Sequence, residues 1–314
     1  MNRISIFVWL ALLPLVFLLL SNVGVLSNAN AGVNANTKDD EERIDNLQCY
    51  GCHKTYLQTF KEGVHGHAFS GDAQAGCQSC HGGGAAHKEV VGVEEYTGPM
   101  KIESFKRGTA SAKKNRPCLT CHENNKTHKN WRASAHDMSG VSCTDCHTLH
   151  ATGDTVPQGV CFTCHQTKRA QTKHTRTPMM PRGDGAKECA KCHDPHGGKG
   201  PSLLKAATVS ETCYGCHSEK RGPFLWEHPP VRDNCANCHD PHGTAHPNFL
   251  KIRVPYLCQN CHSNEQHPSQ LFSAKSLTGN GGRAEQMRLV GKSCLNCHGQ
   301  IHGSNHPSGA RFQR

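Results

Sequence analysis

Apolar residues crowd the first twenty positions and lose any sustained pattern afterwards. Asn2-Arg3 precede an apolar run from Ile4 to Leu20, and Ala29-Asn30-Ala31 closes the stretch. This predicts a secretory leader over residues 1–31, with charged n-region, h-region and small-residue cleavage site. The run approaches spanning length, so an uncleaved anchor is the alternative. Pro14 and the Ala-x-Ala site favour cleavage. Gly32–Asp45 is polar and expected to be mobile. Lys54–Val64 places Tyr56, Leu57, Phe60 and Val64 at helical spacing, predicting a short amphipathic helix. Val90–Val93 is a weak strand candidate. Most other segments are too short and too rich in Gly, Pro, Asn and His for long elements. The longest runs between the motif units and their histidines, Lys88–Pro117 and Pro268–Ser293, lack the alternation of a membrane β-strand.

What replaces a hydrophobic pattern is a cysteine pattern. All 20 cysteines fall in ten Cys-x-x-Cys-His motifs. The pairs are Cys49/Cys52, Cys77/Cys80, Cys118/Cys121, Cys143/Cys146, Cys161/Cys164, Cys189/Cys192, Cys213/Cys216, Cys235/Cys238, Cys258/Cys261 and Cys294/Cys297. The histidines that follow are His53, His81, His122, His147, His165, His193, His217, His239, His262 and His298. This is the attachment signal of a c-type haem. On one helical turn residues i, i+3 and i+4 share a face. Two cysteines can therefore reach two vinyl groups while the histidine addresses the iron as its proximal ligand. Zinc ribbons do not require a histidine after each second cysteine, and disulfide frameworks do not repeat one spacing ten times. Ten covalently bound c-type haems are expected.

Hydrophobic residues make up 35% of the chain and aromatics 6%, too few for a conventional core. One porphyrin for about every 28 residues would supply the missing apolar surface. The expected fold class is a multihaem cytochrome c: elongated, mostly irregular, with short α-helices, little or no β-sheet, and a core of ten stacked haems. The apoprotein should be largely unfolded.

Taken in pairs, the motifs expose a repeat of motif, histidine, motif, histidine. Five such units, roughly 49–87, 118–150, 161–196, 213–242 and 258–302, make residues 32–314 one elongated decahaem module. The additional histidines, candidate distal ligands, are His65 and His87, His136 and His150, His174 and His196, His228 and His242, His267 and His302. Ten irons need twenty ligands, and the repeat supplies twenty. His67, His128, His246 and His306 are left over for surface or propionate contacts. His67 remains an alternative to His65, and His306 to His302. Met100, Met138, Met179, Met180 and Met287 are unnecessary as ligands and are assigned to packing.

A formal charge of +10 invites a nucleic-acid reading. Cleavage removes Arg3 and leaves 34 basic against 25 acidic residues. Twenty propionates and ten singly charged ferric bis-histidine porphyrins would bring the oxidised holoprotein to roughly −1. No polyanion partner is expected. Two imidazoles per iron fill both axial positions, favour electron transfer over substrate binding and give lower potentials than His/Met ligation. The expectation is a wire with no catalytic residue. The basic run Lys168-Arg169, Lys173, Arg176 and Arg182 is read as a solvated loop, with docking of an acidic donor as the alternative.

The chain also resembles the outer-membrane decahaem conduit cytochromes of metal-respiring and iron-oxidising bacteria, the MtrA/DmsE family. The resemblance is strongest over Glu211–His267, through Thr-Cys-Tyr-Gly-Cys-His-Ser-Glu-Lys-Arg-Gly-Pro, Leu-Trp-Glu-His and Asn-Cys-His-Asp-Pro-His-Gly. It is strong again at Ser293–Gly309, with Ser-Cys-Leu-Asn-Cys-His and His-Gly-Ser-Asn-His-Pro-Ser-Gly. Gly63-Val64-His65-Gly66 matches as well, while the rest of the first half departs more. The resemblance implies a protein exported to the periplasm and outer membrane and sheathed by a β-barrel porin. It would link periplasmic electron-transfer cytochromes to an extracellular acceptor or donor, possible partners including an extracellular multihaem cytochrome. A polar, haem-filled chain cannot cross lipid alone, and a barrel with a polar lumen could enclose it. A soluble periplasmic shuttle or store is the alternative, and a multihaem reductase a more distant one, because no motif is altered.

Overall fold

A computed structural model describes residues 43–72, 75–94, 97–98, 101–150, 152, 156–157, 159–174, 185–262, 294–307 and 309–313. The leader, His267, Met100, Met179, Met180, Met287, Arg176 and Arg182 lie outside them.

Short helices carry the cysteines. Helices at Asn46–Cys52, Cys77–His81, Ser111–His122, Cys143–Cys146, Gly185–Cys192, Val209–Tyr214 and Tyr256–Gln259 hold all or part of seven motifs. Single 3-10 turns at Val160–Thr163, Cys235–Asn237 and Cys294–Asn296 begin the other three. Capping residues explain where several of these turns start, since a side-chain oxygen satisfies an orphan N–H of the first turn. Asp45 accepts from the Leu47 amide, Thr208 from Glu211 and Asn234 from Ala236. Ser142 and Asp145 form a reciprocal capping box around Cys143.

The amphipathic helix expected over Lys54–Val64 forms as Lys54–Glu62, ends at extended Gly63, and is followed by a second helix, Val64–Ala68. Gly66 explains their tight junction: a Cβ there would fall 2.0 Å from the Phe60 carbonyl oxygen. The strand candidate Val90–Val93 is not a strand. Val90 ends the helix Ala85–Val90 and Val91 is its C-cap, so the local valine preference yields to a helix begun upstream. Long elements were not expected, yet Ser111–His122 is a twelve-residue helix running through Pro117 into a motif. Among the described residues there is no β-sheet, only the isolated bridges His193–Leu204, Trp226–Ser304 and His239–Leu250.

The protein core is minimal. Buried apolar residues among those described are Ala75, Val90, Leu119 and Trp131, while Leu47, Val64, Met138, Leu225 and Ile252 are exposed. Buried polar side chains do part of the joining. Asn46 donates to the Ala75 carbonyl. Asn115, 1% exposed, accepts from the Cys143 amide (2.8 Å) and donates to the Val141 carbonyl (3.3 Å). Ser210 accepts from the Cys235 amide (3.3 Å). Each stands three residues before the first cysteine of one motif and binds backbone at or beside the next motif. No helix among the described residues is long and apolar enough to cross a membrane.

Candidate functional site

The motifs follow one another without a gap in their contacts. Within each pair of motifs the leading cysteines meet: Cys49 with Cys77, Cys118 with Cys143, Cys161 with Cys189, Cys213 with Cys235, and Cys258 with Cys294. Between pairs, Cys80 lies within electrostatic range of Cys118, Cys146 of Cys161, Cys192 of Cys213, and Cys238 of Cys258.

The candidate attachment cysteines are not equally enclosed. None of the twenty is in a disulfide, and the leading cysteine of every motif is half-buried. Six second cysteines, Cys52, Cys121, Cys164, Cys216, Cys261 and Cys297, are instead exposed on the polypeptide. The other four second cysteines, Cys80, Cys146, Cys192 and Cys238, are half-buried. Apart from Cys297, the division follows the repeat. Those four close the second motif of a unit, where the leading cysteine of the next unit packs close by. Cys52, Cys121, Cys164, Cys216 and Cys261 close the first motif of a unit, and Cys121, Cys164 and Cys261 also lie within electrostatic range of the second cysteine of the unit before. Cys297, which closes the second motif of its own unit, is exposed as well.

The histidines sort themselves by distance. Two imidazoles bound on opposite sides of one metal through bonds of ~2 Å set their ring centres roughly 6 Å apart. Among the described residues eight pairs of histidine rings have that spacing, and each joins a motif histidine to one expected as distal. They are His53–His87 (6.4 Å), His81–His150 (6.0 Å), His122–His65 (6.1 Å) and His147–His196 (5.9 Å). The others are His165–His136 (6.1 Å), His193–His242 (6.1 Å), His239–His302 (6.1 Å) and His262–His228 (6.2 Å). Six pairs are within 26° of parallel, whereas His65–His122 crosses at 82° and His136–His165 at 58°. His65 rather than His67 opposes His122, and His302 rather than His306 opposes His239. The eight pairs do not include His217, His174 or His298, and His267 lies outside the described residues.

Ring orientation fits metal binding. A ligating histidine usually gives its other ring N–H to a carbonyl or carboxylate, which fixes the tautomer. Nδ1 of His81 faces the Glu103 carbonyl oxygen (2.9 Å), His193 that of Ser202 (2.8 Å), His239 that of Asn248 (2.7 Å) and His298 that of Arg311. His136 faces the Pro195 oxygen (2.9 Å) and His228 the Ile301 oxygen (3.1 Å). In all six it is Nδ1 that is engaged, and Nε2 is the nitrogen that would address a metal. Burial pushes His65, His147, His150, His228, His242 and His302 below the usual imidazole range. It brings His196 down to about 4, with His128 and His147 adding to the effect. Such rings are neutral at pH 7, the state in which a histidine binds a metal. Among the described residues no cluster of three or more His, Cys, Asp or Glu converges as a zinc site requires. The ligands come as opposed pairs.

Three loops build this arrangement repeatedly. After His193 the chain turns so that the Asp194 amide donates to the Leu203 carbonyl and Lys205 to that of Cys192. After His239, Asp240 donates to Phe249 and Lys251 to Cys238. After His298, Gln300 donates to Phe312. Gly197 (φ +130°) and Gly303 (φ +133°) follow His196 and His302 in conformations closed to other residues. A Cβ would strike the Asn130 carbonyl at 2.2 Å or the Phe224 ring at 2.2 Å.

Sequence reasoning missed Asn46, Asn115 and Ser210, whose signal was a polar residue at one offset before a motif. His128 was assigned to surface or propionate contacts. The ring of His128 lies 5.3 Å from His122 and 4.3 Å from His196, between two opposed pairs.

Opposed imidazoles beside Cys-x-x-Cys-His turns define a multihaem c-type cytochrome, an electron-transfer protein. Comparison with known proteins narrows this. The doubled CXXCH motif family matches residues 180–222 and 228–267, the cytochrome c-type protein NrfB-like family 77–160, and the cytochrome c554 and c-prime family 24–82. The chain is 43% identical over 280 residues to the multiheme cytochrome MtrA of Shewanella baltica, covering 85% of this chain and 80% of that protein. It is 29% identical over 144 residues to the cytochrome c-type protein NrfB of Escherichia coli, covering 41% of this chain and 70% of that protein. The chain belongs to the MtrA family of multihaem cytochromes.

Proposed function

We propose that this protein is a decahaem wire that carries electrons across the outer membrane inside a β-barrel porin. The observation that carries the reading is the set of eight opposed imidazole pairs, each with one ring from a motif and one from elsewhere. With both axial positions filled there is no position for a substrate, so the chain is a conductor and not an enzyme. The haems, when bound, supply a one-electron iron couple at each motif.

The residues of the chain hold this row together by exchanging ligands between units. His65 of the first unit reaches forward to His122 of the second, and His150 of the second reaches back to His81 of the first. The same exchange joins the second and third units through His136 and His196, and the fourth and fifth through His228 and His302. His242 reaches back from the fourth unit to His193 of the third. By this scheme His174 serves the motif of His217. His87 closes the first motif within its own unit, and His267 closes the last, at His298. Hydrogen bonds from His136 to Pro195 and from His228 to Ile301 lock each exchange, because each accepting carbonyl belongs to the residue before the other exchanged histidine.

Residues 1–31 are assigned as the leader that exports the chain. Membership of the MtrA family supports periplasmic electron-transfer cytochromes as donors or acceptors on one side and an extracellular partner on the other. The test is a pull-down of the tagged protein from gently solubilised outer membranes, with mass spectrometry of the intact partners. Co-purification with a large β-barrel is expected. Recovery from the soluble periplasm without a barrel would make the protein a shuttle.

A further inference from the structure

The sequence His-Asp-Pro-His-Gly occurs twice, at His193–Gly197 and His239–Gly243. In both copies the aspartate Oδ1 accepts the backbone N–H of the second histidine, at 3.1 Å in the first and 3.0 Å in the second. The copies part company at the ring. Asp240 Oδ1 also lies 3.2 Å from Nδ1 of His242, whereas Asp194 Oδ1 is 3.9 Å from Nδ1 of His196. Around His196 the neighbours are the rings of His128 (4.3 Å) and Trp131 (6.3 Å).

The helix Gln166–Gln171 accounts for the difference. Gln171 Nε2 donates to Asp240 Oδ2 (3.1 Å), and Gln171 Oε1 accepts from Lys168 Nζ (2.8 Å). The lysine orients the amide, the amide fixes one carboxylate oxygen, and the other oxygen is left for the imidazole. In the opposed pairs whose Nδ1 meets a backbone carbonyl, the acceptor is neutral. At His242 it is a carboxylate. An anionic acceptor on Nδ1 raises the electron density of the ring and favours ferric over ferrous iron at Nε2.

We propose that Asp240 is a positioning residue that makes His242 an electron-rich axial ligand. It thereby holds the haem of Cys189 and Cys192 at a lower potential than its structural twin at Cys143 and Cys146. This rests on the assignment of His193–His242 and His147–His196 as axial pairs. It places a low-potential step near the middle of the motif row, and gives Lys168 and Gln171 a role that a solvated basic loop would not have.

The test uses the full-length, haem-loaded protein in a spectroelectrochemical titration, with intact mass giving the haem number. Asp240→Asn keeps the shape and removes the charge. One haem's share of the reduced absorbance should move to higher potential, its reduction favoured about tenfold, or ~59 mV for a one-electron couple. Gln171→Leu frees the carboxylate for the imidazole and should move the same share to lower potential. Asp194→Asn should leave the titration in place. If Asp240→Asn fails to retain all its haems, Gln171→Leu decides the matter. A titration unmoved in the variants that retain ten haems would overturn the role of Asp240 while leaving the wire intact. A wild-type protein without ten low-spin haems would instead remove the reading on which it rests.

Discussion

The two halves of this chain reach the same ring spacing by different routes. From Gly185 onward, three loops of related backbone present His193, His239 and His298 to carbonyl acceptors at Ser202, Asn248 and Arg311. Before it, His81 finds its acceptor at Glu103 through a longer excursion, and His65 comes from a five-residue helix with its ring crossed to that of His122. The ring-to-ring distances nevertheless stay between 5.9 and 6.4 Å in both halves. What is held constant is the space for a planar, axially ligated group, and the backbone varies around it. This follows from the near absence of a protein core: with so few buried apolar residues, the prosthetic groups are the main surface against which the chain can pack.

The largest test of that comparison is removal of the haems. If the carboxy-terminal loops were stable by their own hydrogen bonds, the unloaded chain would keep structure there. The expected outcome is loss of fold in both halves, seen as a coil-like far-ultraviolet circular dichroism spectrum and uniform proteolysis. Persistence of a resistant fragment from residue 185 onward would break the equivalence.

Single ligands come next. His65→Ala should open one iron to carbon monoxide in the reduced protein, and His67→Ala should not. His302→Ala and His306→Ala should behave the same way in the other half. Reversal within either pair would show that the ring-distance criterion fails there.

Smaller effects sharpen the contrast in how motifs are joined. Asn115 makes two buried hydrogen bonds to the backbone of the Cys143 motif, so Asn115→Ala should cost about 1–3 kcal/mol in denaturant unfolding. Ser210 accepts one backbone hydrogen bond, from the Cys235 amide at 3.3 Å, with Cys235 Sγ also 3.5 Å away, and Ser210→Ala should cost about 1 kcal/mol. The smallest loss, about 1 kcal/mol or less, is expected for Ser142→Ala, which removes one cap from the turn at Cys143.

The sequence carried the chemistry more plainly than the architecture. Cys-x-x-Cys-His is a local signal, so candidate attachment cysteines and candidate proximal histidines could be named position by position. How far each cysteine is enclosed could not be read, because Cys121 and Cys146 occupy the same place in their motifs, yet one is exposed and the other half-buried. Candidate distal histidines could be counted, because a repeat preserves count, and among the described residues eight of them oppose a motif histidine. Their partners could not be read, because His150 opposes His81 across 69 positions of sequence and spacing alone cannot say which unit a ligand serves. Val90–Val93 misled because valine preference is weak against a helix already started at Ala85. The helix Ser111–His122 was missed because Pro117 reads as a stop, although it sits inside. Tyr56 shows why amphipathicity was only half informative. Its helix forms, yet the ring is exposed to solvent and lies 4.8 Å from His150, facing the opposed histidines and not a protein core.

The central claim is that every iron in the loaded protein is closed by two histidines. The most direct measurement is the carbon monoxide difference spectrum of the fully reduced, full-length protein, on a sample whose intact mass shows ten haems. The account predicts no spectral change. A change amounting to one haem or more would mean that an axial position is open, and the wire would then contain a site for chemistry.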